Sequence, residues 1–136
     1  MKTNFIDYLK KKKAQQAIDK FAAKYKDKKI MLYGAGIFAG QLMRHYDFSV
    51  LNIIGVADNI FQDNYEGDFY GYKKFGPYDL LEADFDLLLI TTYDDTYVKA
   101  FLKKDLFQGE DIKFDIKTLI RMNIFEYIKA VVKGEV

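Results

Sequence analysis

The 136 residues include no cysteine, so disulfides, thiolate-bound metals and a cysteine nucleophile are excluded, and a reducing, cytoplasmic setting is the expectation. The single histidine, His45, excludes a zinc or iron centre built from several histidines. Long apolar runs are also lacking. The longest aliphatic run, Leu87 to Ile90, is far too short to span a bilayer, and the N-terminal "MKTNFIDYLKKKK" has no apolar stretch of signal-peptide length. A soluble protein without membrane insertion is expected. Charge of one sign is scarce as well: 21 Lys and Arg face 20 Asp and Glu, a net of +1, so the overall charge demands no nucleic-acid partner. The length suits one domain over residues 1–136, and is too short for a nucleotide domain plus a full substrate domain.

What is present is a hydrophobic period that switches between helix and strand. Ala14, Ala17, Ile18, Phe21, Ala22 and Tyr25 have helical spacing, which predicts one N-terminal helix within 1–27, running over 4–26 with Thr3 or Asn4 as its N-cap. "KIMLY" (29–33), "VLNIIGVAD" (50–58) and "FDLLLITT" (85–92) are continuously apolar, as parallel strands buried on both faces are. Helices are expected over 37–46, 77–83 and 95–104, and a further strand over 111–120 completes a core spanning 29–120. A C-terminal helix within 121–136 follows, with Ile124, Tyr127, Ile128 and Val131 on one face and Gly134 as its stop. Residues 59–77 read as a long loop with one short strand.

Gly34, Gly36 and Ala39 fit G-x-G-x-x-G/A directly after a predicted strand and at the start of a predicted helix. The first glycine permits a sharp turn off the strand. The second removes a side chain where a pyrophosphate must approach, and the N–H groups of Gly36, Ile37 and Phe38 then face the anion at the positive end of the helix dipole. Asp58 stands 24 residues after Gly34, at the end of the second strand, where a carboxylate accepts hydrogen bonds from ribose hydroxyls. Asn59 and Ile60 follow with no arginine for a 2′-phosphate, which favours NAD over NADP. The alternative is a scaffold whose glycine turn is only structural. An S-adenosylmethionine site fits less well, since Tyr33 precedes the turn and Phe38 replaces a third glycine.

"YGAGIFAGQLMR", "IIGVADN", "GYKKFGPYDLL" and "FDLLLIT", in this order, resemble the Rossmann-like nucleotide-binding domain of bacterial nucleotide-sugar dehydratases, epimerases and related polysaccharide-biosynthesis proteins, over about residues 29–104. The aspartate-asparagine pair and the element from Gly71 to Leu80 are the more particular parts. The resemblance implies an α/β, three-layer Rossmann-like fold with a mainly parallel sheet of about five strands in the order 3-2-1-4-5. It implies dinucleotide contacts at Gly34, Gly36, Asp58 and Asn59, with Thr91 and Thr92 beside the same crevice, and loop contacts from Thr91 to Tyr93 are expected there. Departures restrict the transfer. Ile37 and Phe38 stand where acyltransferase relatives carry a histidine, and the Y-x-x-x-K of the dehydratases belongs to a separate, larger domain that 136 residues cannot hold.

Three pairs, Tyr8 with Lys12, Tyr25 with Lys29 and Tyr70 with Lys74, have the spacing at which an ammonium can lower a phenol pKa, and 11 tyrosines among many lysines make such spacing common by chance. Lys10 to Lys13 can meet phosphate or lipid headgroups, but read first as a solvated helix face. His45 suits a helix C-terminus, and Asp94 or Asp95 reads as a helix cap before a metal ligand. The aromatic segment 64–72 can stack on a base or sugar, cover a sheet edge, or form a dimer contact. The expected function is binding of NAD or a related nucleotide in nucleotide-sugar modification, with a nucleotide or nucleotide sugar as ligand and a homodimer or larger enzyme as partner. Alternatives are a docking or dimerisation module and a small NAD(P)-dependent nucleotide-sugar dehydrogenase, epimerase or dehydratase; no catalytic residue is assigned.

Overall fold

The structure is a computed structural model that describes residues 5–122 and 124–133. Strands β1 (Ile30–Tyr33), β2 (Ile53–Ala57), β3 (Asp68–Phe69), β4 (Tyr72–Phe75), β5 (Leu87–Ile90) and β6 (Asp115–Thr118) form one sheet. Helices α1 (Ile6–Lys11), α2 (Ala14–Lys24), α3 (Ile37–His45), α4 (Asp95–Ala100) and α5 (Ile124–Lys133) accompany it. All strand pairings are parallel except β3 with β4. This is an α/β architecture compatible with a Rossmann-like fold.

The neighbouring interior strands β1 and β5 are buried at every position, which explains their unbroken apolar sequence. Ile30, Leu32, Leu87 and Leu89 point to a core shared with Leu9, Ile18 and Leu42 of the first three helices. Met31, Leu88 and Ile90 point the other way, to a second core with Leu80, Val98 and Leu102. The alternation of side chains on successive strand residues thus builds both outer layers from the same two strands.

The sheet order is β3-β4-β2-β1-β5-β6, which corrects the expected five strands in the order 3-2-1-4-5. The difference lies in the segment read as a loop with one short strand, which folds into a hairpin. Tyr70 (φ 52°) and Gly71 (φ 88°) make its two-residue turn, both in the left-handed region that matches the twist of the flanking strands. Asp68 closes the turn by accepting from the Gly71 N–H at 2.9 Å.

The single helix expected over 4–26 is two helices, broken at Lys13 (φ 52°). Leu9 and Ala14 are both buried and five residues apart, a spacing that an unbroken helix would place about 140° apart. The left-handed residue resets the phase so that both face the core. Thr3, Asn4 and Gly134, expected as cap and stop, lie outside the described residues. Residues 77–81 form a 3-10 helix, and α4 continues as a π-helical stretch, Phe101–Leu106. Among the described residues no helix is long and apolar enough to cross a membrane.

Candidate functional site at the carboxyl edge of the sheet

Strand register brings the candidate residues together. Tyr33 pairs with Ala57 on one side and with Ile90 on the other, so the chain leaves β1 at Gly34, β2 at Asp58 and β5 at Thr91, all at one level of the sheet.

The two glycines of the turn have different reasons to be glycine. Gly34 has φ +127°, and a Cβ there would stand 2.8 Å from Thr92 Cγ2 and 3.0 Å from Thr91 Oγ1. Backbone conformation and packing both exclude a side chain. Gly36 has an ordinary φ of −82°, and a Cβ there would meet nothing within 4 Å among the described residues. It begins α3 with no side-chain cap, and among the described residues the N–H groups of Gly36, Ile37 and Phe38 have no acceptor. Ile37 is exposed, whereas Phe38 is turned inward and 3% exposed. The turn thus presents uncapped donors, the positive end of a nine-residue helix, and a bare Cα on the open side.

Asp58 is half-buried and already employed. Its Oδ2 accepts from the Ala35 N–H at 2.7 Å and its Oδ1 accepts from the Ile60 N–H at 3.0 Å, which ties the glycine turn to the end of β2 and caps the 3-10 turn Asn59–Phe61. A carboxylate offers about four acceptor positions, so among the described residues two remain for outside donors. Asn59 is exposed beside it.

Thr91 is 2% exposed; its hydroxyl hydrogen bonds to the Tyr33 and Gly34 carbonyls at 3.1 and 3.0 Å, fastening β5 to the turn. Thr92 donates to the Asp94 carbonyl at 2.9 Å. Tyr93 stacks on Phe5 with ring centroids 5.5 Å apart, and Phe38 makes a T-shaped contact with each of them. The start of α1 therefore lies against the first turn of α3 and the loop after β5. Sequence reasoning missed this cluster, since nothing local links Phe5 to Phe38 and Tyr93. The space among Gly34, Ala39, Phe69 and Thr91 beneath the turn is too small for a water molecule.

The lysines of the three tyrosine-lysine pairs have other partners. Lys12 lies over the Tyr8 ring at 5.7 Å, but it is bound to Glu126 at 2.7 Å, and burial followed by the charge of Glu126 pushes the Tyr8 phenol well above its ordinary range. Lys29 is paired with Asp84, while Lys74 donates to the Glu66 carbonyl at 2.7 Å. Tyr33, at the end of β1, is likewise held protonated, first by burial and then by the negative charge of Asp58.

Asp94 caps α4 by accepting from the Thr96 N–H at 3.1 Å. Asp95 is buried and accepts from Thr118 Oγ1 at 2.7 Å and Lys99 Nζ at 2.9 Å. Burial acts to raise its pKa, but the bonds from Lys99 and Thr118 and the charges of Lys99 and Arg121 outweigh it, and the carboxyl lies below the usual range. His45 ends α3. The aromatic segment covers the sheet edge: Phe69 packs on Phe61, and the Tyr70 hydroxyl accepts from Arg44 Nε at 2.9 Å. The element from Gly71 to Leu80 has an internal explanation too. Gly71 turns the hairpin, a Cβ at Gly76 would collide with Gln62, Asp79 accepts from the Gly76 N–H at 2.7 Å, and Leu80 is fully buried.

No family model matches the chain, and no curated protein or solved structure matches it either.

Proposed function

We propose that the chain binds NAD or a related nucleotide at the turn after β1, as a domain or subunit in nucleotide-sugar modification. The observation that carries this reading is Gly36: among the described residues no contact requires a glycine there, and it opens onto three N–H groups at the start of α3 that have no acceptor among those residues. The phosphates lie over Gly36 and Ile37, and the ribose hydroxyls donate to the two free positions of Asp58, with Asn59 beside them. Lack of an arginine next to Asp58 favours NAD over NADP. No residue of the chain is assigned a catalytic role in this reading.

A second reading, a docking module with a purely structural turn, draws support from the bonds that Asp58 makes within the chain. Titration calorimetry with NAD, NADP, a nucleotide sugar and coenzyme A separates the two. Gly36→Asp is the decisive variant: its side chain has room, aspartate is a good N-cap, and its charge lies where the phosphates would sit. Binding by the parent chain, weakened at least about tenfold in the variant with folding intact, supports the proposal. No heat with any of the four ligands leaves the docking reading.

A further inference from the structure

The nucleotide proposal makes no use of the far side of α1, where α5 packs. Phe125, Ile128 and Val132 lie at i, i+3 and i+7 on α5 and are 78%, 53% and 80% exposed. Three large apolar side chains in one stripe are more than scattered surface residues. Lys11 and Lys129 border the same groove, with Lys10 and Lys13 exposed nearby on and after α1. The Lys12–Glu126 ion pair at 2.7 Å holds the two helices together, so lysines and apolar stripe form one surface.

Charge selects the occupant. Residues 6–13 and 124–132 hold five lysines against Asp7 and Glu126, a net of +3 in a chain of net +1, so the remainder is net −2. A second copy joined about a two-fold axis would set this basic surface against itself, which disfavours self-association. An anionic surface with an apolar interior matches both parts. We infer that the α1–α5 face docks on an anionic lipid bilayer, with Phe125, Ile128 and Val132 entering the headgroup boundary and Lys10, Lys11, Lys13 and Lys129 meeting the lipid phosphates and carboxylates. Lysine stems lie along such a boundary with their ammonium groups in the polar layer.

Vesicle flotation with the full chain tests this. Binding is expected to phosphatidylcholine vesicles containing phosphatidylserine, not to phosphatidylcholine alone, and to weaken as sodium chloride rises from roughly 0.1 to 0.5 M. Each of Lys10→Gln, Lys11→Gln and Lys13→Gln lowers binding about fivefold, and Phe125→Ser with Val132→Ser abolishes it. The lysine variants remain decisive if the serine variant unfolds, because their side chains are solvated. No binding to anionic vesicles, equal binding to neutral ones, or a concentration-dependent dimer that Phe125→Ser with Val132→Ser dissolves would each overturn the inference.

Discussion

At the scale of single residues, the two glycines of the turn predict opposite experiments. Gly34→Ala places a methyl group against Thr92 and Thr91 with φ +127°, and should cost about 2 kcal/mol or more, read as a lowered denaturation midpoint. Gly36→Ala meets no atom of the described residues and should change the midpoint by less than about 0.5 kcal/mol, so equal losses at both sites would contradict the geometry. Thr91→Val keeps the shape but leaves the Tyr33 and Gly34 carbonyls without their hydroxyl donor, for an expected loss of about 1 to 2 kcal/mol. The glycine pattern was legible in sequence because strand, turn and helix are consecutive. The bonds of Asp58 to Ala35 and Ile60 were not, since they depend on how β1 and β2 are aligned.

At the scale of elements, Asp95 joins α4 to β6 through Thr118. Its carboxyl is easier to ionise in the folded chain than in the unfolded one, so its contribution is complete above the unfolded value of about 3.9 and is lost as pH falls through the lower folded value. Asp95→Asn should therefore destabilise the chain by about 1 to 3 kcal/mol near neutral pH, and the gap should narrow below about pH 4. Chemical denaturation at several pH values checks this; a gap that widens in acid refutes the assignment. The break at Lys13 is a second element-scale feature. Lys13→Gly relieves the left-handed conformation without moving α1 or α2, and should raise stability by about 0.5 to 1 kcal/mol, whereas a continuous helix would lose stability by a similar amount. Neither the break nor the hairpin was readable from the sequence. The lysine run carries no apolar residue to mark the phase shift, and Tyr70-Gly71 lacks the asparagine or aspartate that signals such a turn.

At the scale of the molecule, β1 and β5 were legible because burial on both faces leaves continuous apolar sequence, and the edge strand β3 was not because it is two residues long. The site inherits its cooperativity from the interior strands of the sheet. Gly34, Asp58 and Thr91 follow three adjacent strands of one sheet, and both cores rest on β1 and β5. A nucleotide bound across these strand ends must stabilise the whole sheet, because loosening any one strand dismantles the site. Ligand at about 100 times its dissociation constant adds about 2.7 kcal/mol, or roughly 10 °C in melting temperature for a chain of this size. With NAD at saturation, the parent chain should melt in one transition shifted upward by about that amount, and Gly36→Asp should melt unshifted. A shift confined to a minor early transition would place the ligand on a peripheral segment, away from the glycine turn.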